Sequence, residues 1–196
     1  MSTEKWNAYT ADGTLVDTVL LRDEPIPEGM YHLVCEVLVR HTDGSYLCME
    51  RASTKKAYPG YYEATAGGSA LLGETKEECV RRELWEETGI ITDSFIETGR
   101  YLTKDTIYYT YVCTVDCDKD TVLLQDGETE DYKWMTEEEF ISFINSDKAI
   151  PTQRERYKEY FKKLDIYDNI PFLYNKKAPK KLRCFLLCIF VLLILG

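Results

Sequence analysis

Between Gly68 and Ile90 the chain commits itself to a glycine loop followed by a helix of fixed length. Thr75, with Glu78 three residues later, forms a capping box that starts a helix. Gly89 supplies the left-handed residue that closes one. The spacing predicts a helix over 76–88. Glu83, Glu86 and Glu87 fall at i, i+3 and i+4, so they share one face. Glu83 lies between Cys79 on one side and Val80 and Leu84 on the other, so the glutamates flank the apolar stripe instead of opposing it. Like charges at this spacing repel unless a cation sits among them. All-oxygen clusters suit hard divalent cations such as Mg²⁺. Spacing alone leaves two readings, a solvated helix face and a metal site that works on phosphates.

The same stretch resembles the Nudix box: Gly, five residues, Glu, seven residues, then Arg-Glu-apolar-any-Glu-Glu-any-Gly-apolar. Gly68, Glu74, Arg82, Glu83, Leu84, Glu86, Glu87, Gly89 and Ile90 fill its defined positions. The likeness extends from about Trp6 to about Leu164. Tyr31-His32-Leu33, Arg51 to Lys56, Tyr58-Pro59-Gly60 and Ala66-Gly67-Gly68 resemble one Nudix subgroup, itself similar to the isopentenyl-diphosphate isomerases.

The resemblance implies hydrolysis of a diphosphate linkage in a small-molecule substrate, a nucleoside diphosphate joined to another moiety. Glu83, Glu86 and Glu87 are then expected to hold Mg²⁺ or Mn²⁺, with help from the backbone carbonyl of Gly67. The ion makes a water acidic enough to attack phosphorus, and a glutamate takes the proton. That base is either a box glutamate or one on the loop ahead of the last strand. Glu128 and Glu130 are the loop candidates, and Glu128 is favoured by its position relative to Trp134. Arg82 is placed to orient Glu83, and Glu74 shapes the approach to the helix. Arg51, Lys55 and Lys56 are candidate phosphate contacts. Tyr58 and Tyr101, with Tyr62 and Tyr108 beside them, are candidates for stacking on a base or sugar.

Two other activities follow from the same likeness. An isomerase would place a metal-binding His at His32, but it also needs a Cys and a nearby His after the Pro-Gly turn. This chain has Glu63-Ala-Thr-Ala-Gly-Gly-Ser-Ala there. His32 then reads as a strand histidine. A non-catalytic nucleotide-binding module is the third reading, and an intact set of box carboxylates weighs against it.

The expected fold is α/β, an α/β/α sandwich with a mixed sheet. Strands are predicted over 31–39, 45–51, 95–102, 107–115 and 131–135. Thr136 with Glu139 caps a helix whose stripe is Phe140, Phe143 and Ile144. Thr152 with Glu155 caps another, with Tyr157, Tyr160, Phe161 and Leu164 as its stripe. The domain reading is an N-terminal extension over 1–30, a catalytic domain over 31–165, a basic linker over 166–183 and an apolar tail over 184–196.

The net charge of −10 conceals an asymmetry. Residues 176–196 hold five basic and no acidic residues, leaving 1–175 at −15, with 19 basic against 34 acidic. Such a surface excludes a nucleic-acid polymer as partner, and an anionic substrate must be drawn in by metal and local Lys or Arg. The seven cysteines are poorly spaced for disulfides. Met1 to Asn7 is polar, so reduced thiols and a cytoplasmic location are expected. Cys113 and Cys117 lack the second pair that zinc requires. Lys176 to Arg183 preceding an apolar end suggests membrane association through 184–196, although thirteen residues reach only about 20 Å of a ~30 Å hydrocarbon core. A packed or self-associating tail is the alternative. A homodimer is expected only because relatives commonly form one.

Overall fold

The computed structural model describes residues 3–168, with side chains through 163. The described residues fall into two units, divided between Glu159 and Tyr160. In the first, β1 (Lys5–Tyr9) and β2 (Leu15–Leu21) form a separate hairpin. A mixed seven-stranded sheet follows among the described residues. Its strands are β3 (His32–His41), β4 (Tyr46–Arg51), β5 (Tyr62–Glu63), β6 (Thr65–Ser69), β7 (Phe95–Leu102), β8 (Thr106–Val115) and β9 (Thr129–Met135). The helices are α1 (Lys76–Thr88), α2 (Glu137–Ile144), α3 (Pro151–Arg156) and α4 (Lys158–Asp168).

β3 is the axis of the sheet. It runs parallel to β8 from His32↔Thr106 to His41↔Val115 and antiparallel to β6 from Val34↔Ser69 to Leu38↔Thr65. Its nearly continuous apolar run fits a strand covered on both faces. Leu33, Cys35, Val37 and Val39 join Cys79, Val80 and Leu84 of α1 in one core. Glu36, between them, points the other way and meets Arg156 of α3. Helices therefore cover both faces, which is the layered α/β/α arrangement expected. The thiols of Cys35, Cys48, Cys79, Cys113 and Cys117 are free, and burial pushes Cys113 up to about 12.

α1 begins and ends where its caps dictate. Thr75 and Glu78 bond reciprocally, and Gly89 adopts φ 72°. Gly89 N–H donates to Trp85 O at 2.8 Å. The capping box at Thr136 and Glu139 is likewise formed.

The helix capped by Thr152 is a correction. Pro151 occupies the first turn, where its missing N–H costs nothing, so α3 starts after Ile150 and Thr152 lies inside it. The helix then breaks at Tyr157, which has φ −98° and ψ 13°. The buried Tyr157 hydroxyl lies 2.8 Å from Glu36 O and 3.1 Å from Tyr111 O, tying the break to β3 and β8. Tyr157→Phe is expected to lower stability by about 1.5 kcal/mol and Tm by ~3–6 °C, as read by calorimetry.

Membrane association is also corrected. Among the described residues no helix is long and apolar enough to cross a membrane. The apolar tail over 184–196 lies outside the described residues, and the expected membrane-associated location loses its support with it.

Candidate functional site

Arg82 organises the helix face. Its Nε and Nη2 donate to the two oxygens of Glu74 at 2.8 and 2.9 Å. Nη1 donates to Glu83 Oε1 at 2.7 Å and Glu86 Oε2 at 3.0 Å, and Nη2 also reaches Ser69 O at 3.1 Å. One guanidinium thus gathers three carboxylates and the strand that leads into α1. Glu74 in turn accepts from Leu71 N–H at 2.8 Å, closing the loop ahead of the helix. The neighbouring carboxylates keep Arg82 firmly charged against its partial burial.

Glu83 is largely buried, and burial raises its carboxyl while Arg82 opposes the rise. Glu87 is more deeply placed. Burial, followed by the nearby charges of Glu63 and Glu83, pushes it well above the usual carboxylate range. Gly67 N–H donates to Glu87 Oε2 at 3.2 Å and works in the other direction. The Gly-Gly pair makes this proximity possible. A methyl at Gly67 would overlap the Cys35 carbonyl of β3, and one at Gly68 would lie 2.5 Å from Glu83 Oε1. Gly68→Ala is expected to displace Glu83 while leaving the fold, since only the far end of a side chain must shift. Turnover should fall about a hundredfold, with Tm little changed by calorimetry.

Two loops meet beside this face. Ala52 N–H donates to Glu128 O at 2.8 Å, and Lys55 forms an ion pair with the Glu128 carboxylate. Glu128 also contributes to the negative field on Glu87. Glu130 is engaged elsewhere: its carboxylate accepts from Ser53 N–H at 2.9 Å and Ser53 Oγ at 2.8 Å. Arg51 bonds the Glu63 carboxylate and the Ala57 carbonyl. Tyr58 is exposed, with φ 50°, and packs edge-on against Tyr61. Lys56 is exposed on the same loop.

Other expected residues lie apart or are occupied. Tyr101 sits on β7, at the opposite edge of the sheet from β5. The Tyr62 hydroxyl donates to Glu50 and Asp131 at 3.1 and 3.2 Å. Tyr108 lies under Arg156, 4.5 Å from its ring centroid. His32 stacks on Trp6 at 4.3 Å and pairs Nε2 with Thr106 Oγ1 at 2.8 Å. Burial lowers its pKa, which favours the neutral ring in this packed position on β3.

Among the described residues, no three His, Cys, Asp or Glu side chains stand ready to hold a metal ion. Arg82 occupies Glu83 and Glu86, and Glu87 is turned onto Gly67 N–H. The donor chemistry nevertheless fits a hard divalent cation. Glu87 is half-buried, and the charges of Glu63, Glu83 and Glu128 act against its ionisation, an arrangement that repels itself until a cation enters.

The bonds that join Glu63 to Gln153 and Arg51 are not legible in the sequence. Glu63 is one acid ahead of a Gly-Gly pair, a weak signal. Gln153 carries none, because a polar residue on an amphipathic helix reads as exposed, yet it is 1% exposed.

The NUDIX domain family pattern matches residues 30–160. The Nudix hydrolase lmo0368 of Listeria monocytogenes is 29% identical over 150 residues, covering 76% of this chain and 89% of that protein. The Nudix hydrolase YfcD of Escherichia coli K12 is 30% identical over 119 residues, covering 60% and 66%. Among solved structures, DR0079 from Deinococcus radiodurans superposes with a TM-score of 0.63 at 22% identity, covering 79% of this chain and 99% of that one. The MutT protein from Methanosarcina mazei gives 0.54 at 22% identity, covering 71% and 96%. At these identities the two structures establish the fold alone.

Proposed function

The chain belongs to the Nudix hydrolase family, a hydrolase class acting on diphosphate-containing substrates, and from that premise we propose a Mg²⁺- or Mn²⁺-dependent pyrophosphohydrolase that cleaves a nucleoside diphosphate joined to another moiety. The observation that carries this reading is the convergence of Glu83, Glu86 and the half-buried Glu87 on Arg82 and Gly67. A nucleotide-binding module without turnover has no need of carboxylates crowded together on one helix face. The catalytic domain is taken as 31–165, with 1–30 bracing it through the Trp6–His32 stack and a Leu72 N–H to Lys5 O bond of 2.8 Å.

Glu83, Glu86, Glu87 and the Gly67 carbonyl would hold the cation. When bound, it neutralises phosphate oxygens and acidifies water. Arg82 keeps Glu83 and Glu86 together on α1. Arg51, Lys55 and Lys56 receive the phosphates, and Tyr58 offers its ring to the group beyond them. Lys55 and Glu128 neutralise one another before substrate arrives. A phosphate that draws Lys55 to itself frees Glu128 to accept the proton of the attacking water. The new P–O bond forms as the bridging P–O bond breaks, and the leaving phosphate departs with the bonding pair.

Membership of the subgroup resembling isopentenyl-diphosphate isomerases is part of this proposal, on His32 and the Tyr58-Pro59-Gly60 turn. Isomerase chemistry is not. The box-side thiols are buried, with Cys79 Sγ directed at Gly68 O (3.5 Å) and Cys35 Sγ at Lys76 O (3.3 Å).

The test is turnover of ADP-ribose, diadenosine polyphosphates and nucleoside triphosphates, with Mg²⁺ and with chelator. Expected is metal-dependent release that falls at least about a thousandfold in Glu86→Gln. Tight nucleotide binding with no turnover would favour the sensor reading instead.

A further inference from the structure

The segment Tyr58-Pro59-Gly60-Tyr61 is a turn with a tyrosine at each end. Proline at its second position and Gly60, with φ 70°, at its third fit a type II turn. Tyr61 N–H closes it on Tyr58 O at 3.3 Å. The two rings meet as a result, 5.4 Å between centroids and 63° between planes. They form an open corner, with Tyr58 41% and Tyr61 38% exposed. Residues 57–61 are exposed throughout, so burial does not account for aromatic side chains here.

Exposed tyrosines on a turn are ordinary surface when nothing else marks them. Here the backbone marks them. Tyr58 has φ 50°, the one positive φ outside glycine among the described residues. A bulky side chain is strained in that region, and a following proline restricts it further. A type II turn asks for positive φ only at its third residue, so closing the chain does not require the strain at Tyr58. Arg51 pins the segment on both sides of it. Arg51 N–H donates to Tyr61 O at 2.9 Å, and Gly60 N–H donates to Arg51 O at 3.0 Å. Arg51 Nε donates to Ala57 O at 3.2 Å, and its guanidinium reaches on to Glu63. Strain that is over-determined by its surroundings is characteristic of ligand clamps.

The corner adjoins the cations assigned to the phosphates. Lys55 is three residues from Tyr58, at most ~10 Å along the chain, and it is the lysine that pairs with Glu128. A group joined to a diphosphate held at Lys55 therefore comes within reach of both rings. Two rings at a corner suit a planar aromatic guest, which stacks face-on against one and meets the edge of the other. A branched alkyl chain has no such face to offer.

We propose that Tyr58 and Tyr61 are the walls of a subsite for the base of the nucleoside, so that the chain selects diphosphates carrying an aromatic base over those carrying an alkyl group or a bare sugar. The inference rests on the pyrophosphohydrolase reading above and names the part of the substrate that the turn receives. The strained backbone of Tyr58 aims one ring, and the turn brings Tyr61 against it as the second wall.

The experiment is calorimetric titration of the 196-residue chain in Mg²⁺ with three non-hydrolysable probes. They are α,β-methylene-ADP, the same compound without its adenine, and dimethylallyl methylenediphosphonate. Stacking is tolerant of which base is offered, so adenine serves as the test base. Wild type is expected to bind the adenine-bearing probe about tenfold or more tightly than the base-free one. Tyr58→Leu and Tyr61→Leu should each lose most of that preference and leave the base-free affinity unchanged, whereas Tyr58→Phe and Tyr61→Phe should keep it. Tyr58→Gly adopts positive φ without strain, and it should lose the preference while melting within ~2 °C of wild type or above. A much lower Tm in Tyr58→Gly would show the ring to be a packing element and overturn the proposal. Leucine variants that keep the preference, or that weaken both diphosphate probes equally, also overturn it. An alkyl probe that gains as much from the tyrosines as the adenine probe does overturns the assignment to a base. Equal wild-type affinity for the adenine-bearing and base-free probes removes this inference alone, and a chain that binds none of the three removes it together with the hydrolase reading.

Discussion

Glu87→Gln should abolish turnover and leave the protein as stable as before or more so. The half-buried carboxyl is desolvated and acted on by like charges that raise its pKa, so its ionised form opposes folding in the absence of metal. An amide of the same shape removes that opposition and can still accept from Gly67 N–H. On the proposed reading Glu87 is a ligand of the activating cation, and a drop in turnover of about a thousandfold or more, ~4 kcal/mol in the barrier, is expected. The check is paired: kcat on whichever diphosphate substrate is turned over, and Tm of the metal-free protein. A variant that melts well below wild type would show that the buried charge contributes to folding, and a variant with near-normal kcat would remove Glu87 from the chemistry.

Arg82→Lys is expected to damage both folding and activity despite keeping the charge. Lysine is a single point donor and cannot match a planar fork. It cannot bond Glu74 at both oxygens, Glu83, Glu86 and Ser69 O at once. Glu74 and Glu83 are mostly shielded, with side chains 14% and 12% exposed, so losing their partner is not softened by water. A loss of about 3 kcal/mol, or ~6–12 °C in Tm, should accompany at least a hundredfold fall in turnover as Glu83 and Glu86 separate. Denaturant unfolding and steady-state kinetics measure the two effects. A variant within ~0.5 kcal/mol of wild type would show that the guanidinium network is dispensable.

The parts of the structure readable from the chain are those held by neighbours in sequence. Both ends of α1 follow from Thr75, Glu78 and Gly89, because caps act over three or four residues. β3, β4 and β8 follow from apolar and β-favouring runs bounded by turns, and the more polar β7 and β9 from their aromatic and β-branched residues. The helix predicted from Thr152 misses its start because Pro151 is a better first residue. It also misses the break, because the Tyr157 hydroxyl answers to carbonyls of β3 and β8 far away in sequence. β6 escapes a pattern search because its Gly67-Gly68 segment carries no side chains to alternate, yet it pairs with β3 throughout.

The same division runs through the site. The order of Gly68, Glu74, Arg82, Glu83, Glu86 and Glu87 determines by itself that a loop feeds a helix carrying clustered carboxylates, since helical periodicity alone puts them on one face. Helical spacing also sets Arg82 beside Glu83 and Glu86, but folding alone decides that Arg82 reaches Ser69 O, that Glu87 reaches Gly67 N–H, that Lys55 covers Glu128, and that Gln153 and Arg51 bind Glu63. Those contacts join residues as many as 90 apart in the chain. No local pattern encodes them, because burial and charge act through space, and only the packed sheet and helices bring the partners within reach.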